Sequence, residues 1–382
     1  MKKMKLIIAP AFLSIVAAAA LVACGGGGGD APAATVGADV ATSSSATAAS
    51  IGATVIVGAS ADEEVYNVAA DIGDSWQVVL NNKTNTYVVK VITSQFGLTT
   101  TAPVAFTKST TDTFTTVTGT NLSVQIDSRT KTIGGKVTVG GKAATISGSG
   151  YQVADIGKLA GTYFFAGVAR NVSGGGNPGS AAGSFIVSSN GTDITACDSG
   201  IVVNGACANV AGGSGARTIP LTVSKDSAGI FRIKQGANNF GILNVSAGDR
   251  GPVLIIDRFG PSEDPSPVLR TGIFFAAKSA KLSGNEFDGN WTCSSRGANT
   301  IVIDVSGSNY SVTDSASTRK GTLLYNKVTN DSNQAVDLDG AIIAQGNAEP
   351  LSMSALVLPL SSSLVVVLEA QEGVMDVCRK NK

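Results

Sequence analysis

Residues 76–91, WQVVLNNKTNTYVVKV, decide the fold class of this chain. Apolar side chains recur at every second position from Trp76 to Leu80 and again from Tyr87 to Val91, on either side of a polar stretch. A period of two places alternate side chains on opposite faces of an extended chain. Two such runs around an Asn-rich turn predict an antiparallel β-hairpin.

The composition extends this prediction to the rest of the chain. Gly occurs 46 times among 382 residues, charged residues make up only 15%, and short runs of Val, Ile and Thr alternate with Gly, Asn and Asp. This pattern is typical of many short strands joined by tight turns. The length exceeds what one hydrophobic core usually serves. We therefore expect an all-β chain with two or three antiparallel modules, each a meander, sandwich or small barrel.

The N-terminus carries the features of an export signal. Three lysines within the first five residues precede an uncharged apolar run over 6–22, and Leu21 to Cys24 have the sequence LVAC. This resembles the lipobox of bacterial lipoproteins. The resemblance implies cleavage before Cys24, acylation of that cysteine, and anchoring in the outer membrane, since Gly25 rather than aspartate follows it. The alternative is a transmembrane helix, although this apolar run is about as short as a membrane-spanning helix can be.

The turn signals and composition predict five segments. They are a signal peptide at 1–23, a flexible Gly/Ala/Ser/Thr tether at 24–52, a small β domain at 53–155, a β meander at 156–284, and a C-terminal β module at 285–382. The last two segments could also share one fold. Within the first domain, Ser60 and Glu63 are spaced as a capping box before an apolar series, which predicts one short helix near 61–72.

The last two modules begin alike. Gly161 precedes Tyr163 at a spacing of two, and Gly289 precedes Trp291 at the same spacing. Such a first strand resembles the start of lipocalin-like meanders. The resemblance implies up-and-down strand order, as in small barrels.

Cysteine and histidine usage bounds the chemistry. Histidine is absent, which excludes Ser-His-Asp and Cys-His nucleophiles and histidine-ligated metals. Five cysteines are present, and acylation of Cys24 leaves four for disulfides in an oxidising compartment. Of three possible connectivities we favour Cys197 with Cys207 and Cys293 with Cys378. A zinc site of four thiolates is the alternative, although the sequence contains no Cys-x-x-Cys.

One connection in the second module is a candidate binding loop. Residues 257–267 form its most polar and proline-rich stretch, and prolines stiffen loops that often carry binding surfaces. The candidate binding residues there are Arg258, Phe259, Glu263 and Asp264.

Two further patterns in the sequence resemble catalytic or metal sites. Ser128 with Lys131 and Ser317 with Lys320 match S-x-x-K, but neither pair is accompanied by the other motifs of the serine acyltransferases, so we interpret both as turn residues. Asp337 and Asp339 lie in an oxygen-rich stretch that lacks EF-hand spacing. We interpret these two aspartates as part of a solvated strand edge, with calcium binding as the alternative.

These observations predict a non-catalytic, membrane-anchored envelope lipoprotein that acts in recognition or envelope structure, without cofactor or metal. Its partners would be membrane lipid through Cys24 and an unidentified protein or glycan. The basic residues are scattered, which argues against nucleic acid. One alternative is an envelope hydrolase that pairs two of the carboxylates Glu64, Asp257, Glu286 and Glu369. Another is a structural partner with a broad exposed apolar patch.

Overall fold

The protein is almost entirely β. The computed structural model describes residues 36–111, 114–172, 179–198, 200–209, 215–227, 229–261, 268–294, 300–314, 317–329, 335–346, 354–369 and 373–381. Within these ranges the strands form three closed, eight-stranded antiparallel barrels, together with two short two-stranded ladders. The all-β prediction is confirmed.

Barrel 1 follows a two-residue-period pattern of short strands. Its strands, in the order in which they pair, are β2 (Glu63–Ala70), β3 (Asp74–Asn81), β4 (Thr86–Thr93), β5 (Val104–Thr110), β6 (Thr115–Gly119), β7 (Leu122–Asp127), β8 (Thr132–Val139) and β9 (Lys142–Ser149). β9 pairs with β2 and closes the barrel. The flanking strands β1 (Ala53–Val55) and β10 (Tyr151–Val153) pair with each other.

Barrel 2 follows a 3-10 turn at Ile156–Leu159. Its strands are β11 (Gly161–Asn171), β12 (Gly179–Val187), β13 (Asp193–Asp198), β16 (Arg217–Lys225), β17 (Phe231–Gln235), β18 (Asn238–Gly248), β19 (Gly251–Pro261) and β20 (Leu269–Lys278). A separate hairpin, β14 (Ile201–Val203) with β15 (Ala206–Ala208), lies between β13 and β16.

Barrel 3 repeats the same up-and-down order. Its strands are β21 (Gly289–Ser294), β22 (Thr300–Ser306), β23 (Asn309–Thr313), β24 (Thr318–Thr329), β25 (Ala335–Gly346), β26 (Ser354–Ser361), β27 (Leu364–Glu369) and β28 (Val374–Lys380). The apolar stretch at 355–369 forms the hairpin β26–β27.

Each barrel has its own apolar interior, and a fourth apolar cluster lies outside them. In barrel 2, Leu254 and Ile256 point into the interior. The alternate residues Val253 and Ile255 point outward, into a cluster shared with barrel 3 strands. Leu358 is among the barrel 3 residues of that cluster. Burial of both strand faces therefore fuses barrels 2 and 3 into one body.

A polar junction at the β7–β8 turn joins barrel 1 to the other two barrels. Asp127 and Arg129 form a buried ion pair, with Nε 2.9 Å from Oδ1. The Ser363 hydroxyl of barrel 3 donates to Asp127 Oδ2 at 3.0 Å, and the Ser246 hydroxyl of barrel 2 donates to the Thr130 carbonyl at 2.5 Å. Asp127, Arg129 and the Thr130 carbonyl are thus paired at this junction, as buried polar groups usually are.

The predicted flexible tether at 24–52 is wrong for its second half, because helix α1 spans Val36–Ser50. Val40, Ser44 and Ala48 recur every four residues and are buried, and α1 packs against β18 and β19 of barrel 2. Gly52 follows with a φ of 64°, the left-handed conformation that ends many helices. The composition did not predict helix α1, because the helix is buried by strands that lie far away in the sequence. No helix in the described ranges is both long and apolar enough to cross a membrane.

The short helix predicted near 61–72 is also wrong, because these residues form strand β2. The Glu63 amide donates to the Ser60 carbonyl, so the apparent capping box is a turn that leads into the strand. Tyr66 and Val68 face the interior of barrel 1, whereas Ala69 packs against the outer cluster. Burial on both faces hides the alternation that would have identified a strand.

Candidate functional site

A polar cleft of about 230 Å³ lies between barrels 1 and 2. Barrel 1 contributes the β2–β3 turn, the last residue of β4 and the two residues that follow β4. Barrel 2 contributes the outer face of β17–β19. The lining residues are Gly73, Thr93, Ser94, Gln95, Arg232, Asn239, Gly241, Ile242, Asp257 and Phe259. Residues more than 160 positions apart in sequence therefore form one site.

The floor of the cleft contains a row of three residues in register. Arg232 on β17 is paired with Ile242 on β18, and Ile242 is paired with Asp257 on β19. Neighbouring strands lie about 4.8 Å apart, so the Cα atoms of Arg232 and Asp257 are about 10 Å apart. The row thus presents a guanidinium and a carboxyl group with an apolar side chain between them.

Asp257 is the most perturbed group of the cleft. Its side chain is only 2% exposed, and the Ser75 hydroxyl donates to Oδ2 at 2.5 Å. Oδ1 is buried, and none of the described residues is its hydrogen-bond partner. Burial raises the pKa of Asp257 well above its ordinary value, and the negative charges of Asp74 and Asp71 raise it further, against the lowering effect of the Ser75 hydrogen bond. The group therefore holds a proton into a higher pH range than an exposed aspartate does.

Two aspartates of the β2–β3 turn region shape this environment. Asp74 is fully buried and accepts hydrogen bonds from the Gln95 amide at 2.9 Å and from Trp76 Nε1 at 3.2 Å. Asp71 lies 3.5 Å from Nη2 of Arg170 on barrel 2. Gly73, between the two aspartates, has a φ of 88°, and a Cβ there would overlap Phe259 and Gln95. The turn can approach barrel 2 this closely because Gly73 has no side chain.

The candidate binding loop is partly wrong. Arg258 and Phe259 lie in strand β19, and Glu263 and Asp264 fall outside the described residues. Phe259 lines the cleft, beside Asp257 on the outer face. Arg258 is on the opposite face and is buried, where it lies 4.1 Å from the centroid of the Phe240 ring and donates to the Phe240 carbonyl at 2.9 Å. Phe259 is therefore placed to meet a ligand, whereas Arg258 supports barrel 2.

Comparison with known proteins adds little. No family model and no curated protein matches the sequence. Among solved structures, the chain is similar to one described as intact Ap-TbpB with N and C lobes, at 9% sequence identity and a TM-score of 0.17. That match covers 80% of this chain and 66% of the other, so the chain spans just under two thirds of it. At this TM-score the likeness carries no argument about fold or function.

The other carboxylates proposed for a hydrolase lie elsewhere. Glu64 is part of an exposed cluster on barrel 1, with Oε1 3.0 Å from Lys108 Nζ. Glu286 accepts hydrogen bonds from the backbone amides of Ser283 and Gly284, which lower its pKa although burial alone would raise it. Neither these two nor Glu369 lines the cleft, where the only carboxyl group among the described lining residues is that of Asp257.

The four cysteines lie in the two expected pairs. Cys197 and Cys207 link β13 to the β14–β15 hairpin, with Cα atoms 5.3 Å apart. Cys293 and Cys378 are directly opposite on β21 and β28, with Cα atoms 3.9 Å apart. The second pair joins the first and last strands of barrel 3, so it lies at the closure of that barrel. Cys24 is outside the described residues.

The remaining candidate motifs lie in ordinary structural positions. Ser128 and Lys131 lie in the β7–β8 turn, as predicted, whereas Lys320 lies within β24 and only Ser317 of its pair is in a turn. Asp337 and Asp339 lie on one exposed face of β25, and Lys327 Nζ contacts Asp337 at 2.5 Å. The described residues contain no group of three or more acidic or cysteine side chains suited to a metal ion.

Sequence reasoning named Asp257 only as an isolated carboxylate and missed Arg232 and the β2–β3 turn. The missing information was strand register, which brings Arg232, Ile242 and Asp257 into one row. One signal was present: aspartates at 71 and 74 flank a glycine in a turn, where a close backbone approach is common.

Proposed function

We propose that the protein is a non-catalytic envelope lipoprotein that is anchored through acylated Cys24 and binds a ligand with its three-barrel body. The observation that supports binding is the cleft between barrels 1 and 2, because it is concave and combines polar groups with Ile242 and Phe259. Among the described lining residues it offers one carboxyl group rather than the converging pair that hydrolysis by carboxylates needs. The LVAC sequence at Leu21 to Cys24 supports the anchor.

The anchor is tested by fractionating cells that express the Cys24→Ala variant. One acyl chain gives only marginal membrane binding, whereas two or three give stable binding, so loss of the acylated cysteine should move the protein from the membrane to the soluble fraction. The matched control is the Cys197→Ala/Cys207→Ala double variant, which keeps Cys24 and should remain in the membrane fraction. Membrane retention of the Cys24→Ala variant would show that the anchor is not the lipid.

The membrane face is tested by protease treatment of intact and permeabilised cells. Cleavage on intact cells would place the binding body outside the cell and favour a ligand or host-surface partner. Cleavage only after permeabilisation would place it within the envelope and favour a periplasmic ligand.

A further inference from the structure

One residue that lines the cleft, Asp257, has a buried carboxyl oxygen without a hydrogen-bond donor among the described residues. Its Oδ2 accepts the Ser75 hydroxyl, and the oxygen without a donor among these residues is Oδ1. In native proteins nearly all buried polar atoms are hydrogen-bonded, and each exception needs an explanation. A ligand group that fills the cleft and contacts Oδ1 would supply the missing bond.

The charge around Asp257 favours a cationic group there. Asp74 and Asp71 both act on Asp257 as negative charges. Asp71 is paired with Arg170 of barrel 2, whereas the donors to Asp74 given above are the neutral N–H groups of Gln95 and Trp76. A positive ligand group, such as a primary ammonium, would be attracted to this end of the cleft and would allow Asp257 to ionise.

The other end of the row favours an anionic group. Arg232 has its Nε 2.8 Å from Asp226 Oδ2, which fixes the guanidinium beside the cleft. A guanidinium presents five N–H donors and matches a carboxylate in a two-pronged contact. Positive and negative groups therefore line one cleft at opposite ends of a three-residue row.

The volume of the cleft and the apolar residues at its centre limit the size and the chemistry of the ligand. Its volume of about 230 Å³ is below the range of about 300–1,000 Å³ typical of drug-sized ligands. Two extended residues span about 7 Å. This length is comparable to the separation of about 10 Å between the Cα atoms at the two ends of the floor. Ile242 and Phe259 provide apolar contact between the charged ends.

We propose that the cleft between barrels 1 and 2 binds a small zwitterion of amino-acid or dipeptide size, with its ammonium group on Asp257 and its carboxylate on Arg232. This inference rests on the binding role proposed above and specifies its ligand class.

The test is isothermal titration calorimetry of the full chain in detergent micelles. The probes are L-alanine, L-alanyl-L-alanine, the N-acetylated and C-amidated forms of that dipeptide, and glucose. We expect at least one of the two uncapped probes to bind, and each capped dipeptide to bind at least tenfold more weakly than the free dipeptide. Absence of binding by both uncapped probes, equal binding of the capped forms, or binding of glucose instead would overturn the proposal.

Variants locate the binding to this cleft. Asp257→Asn and Arg232→Gln should each weaken binding of the uncapped probe at least tenfold, and Ile242→Phe should block it by filling the floor. The matched controls are Asp337→Asn and Arg319→Gln on barrel 3, which should bind as the parent does. Circular dichroism melting of each variant identifies any that fail to fold. Unchanged affinity in folded Asp257→Asn would refute the site, whereas the fractionation result for Cys24 is independent of this outcome.

Discussion

Three consecutive residues on β19 illustrate how single positions acquire opposite roles. Asp257 and Phe259 face the cleft, whereas Arg258 between them turns into barrel 2 and stacks on Phe240. The sequence of this stretch predicted a polar loop, because charges and Gly260 interrupt the apolar run. Strand alternation instead sends the acid and the base to opposite faces. The role of a polar residue in a strand therefore depends on which face of the strand it lies on and on what packs against that face.

The raised pKa of Asp257 makes a prediction about stability and pH. In the unfolded chain an aspartate titrates near a pKa of about 3.9, whereas in the folded protein burial shifts the pKa of Asp257 well upward. Arg170 on β11 and the aspartates at 71 and 74 face this region. The folded state thus binds more protons than the unfolded state between the two pKa values, and the free energy of unfolding should fall as pH rises through that window.

The Asp257→Asn variant should remove this fall, because an amide does not titrate. Each unit of pKa difference corresponds to about 1.4 kcal/mol, so the variant should gain stability relative to the parent as pH rises from 4 to 8. Urea denaturation at each pH measures the difference. Asp337→Asn, at an exposed position on β25, is the control and should leave the profile parallel to that of the parent. A parallel profile for Asp257→Asn would contradict the raised pKa.

At the scale of elements, local pattern predicted strands well and failed where burial is decided at a distance. The hairpin at 76–91 is β3–β4, and its turn ends at Asn85, which has a φ of 51°. Apolar alternation and turn chemistry, both local, were sufficient there. β2 was mistaken for a helix because both of its faces are buried, and α1 was mistaken for a tether because its small residues pack on barrel 2.

The two cysteine pairs predict unequal contributions to stability. In the chain-entropy model the stabilisation by a disulfide increases with the logarithm of the number of residues in the loop that it closes. Cys293 and Cys378 are separated by 85 residues and Cys197 and Cys207 by 10, which gives about 4.5 and about 2.7 kcal/mol. Urea unfolding of the two double alanine variants under non-reducing conditions should show the larger loss for the barrel 3 pair. Equal losses would contradict the predicted dependence on loop length.

At the scale of the whole molecule, the sequence predicted two or three modules and left open whether the last two share one fold, but it did not predict how they fuse. Residues 364–368 of strand β27 are all apolar because one face lines barrel 3 and the other packs on barrel 2, as Val365 and Val366 illustrate. Such a run indicates a strand buried on both sides, yet it does not say what covers the second face. The cleft was unpredictable for the same reason, since its walls belong to different barrels.

The shared cluster between barrels 2 and 3 should couple their stabilities. Ile255 and Leu358 belong to that cluster, whereas Leu254, the neighbour of Ile255, points into barrel 2. Each truncation to alanine at these buried sites should cost about 2–5 kcal/mol. In a double-mutant cycle, Ile255→Ala with Leu358→Ala should show a coupling energy of at least about 0.5 kcal/mol.

Leu254→Ala with Leu358→Ala is the matched control for this cycle, and its effects should add within about 0.5 kcal/mol. Thermal unfolding followed by calorimetry measures all of these variants. Additive costs for the Ile255 and Leu358 pair would mean that barrels 2 and 3 unfold independently despite their contact. Coupling confined to that pair would show that the shared cluster links the stabilities of barrels 2 and 3. The cleft itself lies between barrels 1 and 2 and therefore depends on a different interface from the one that this cycle measures.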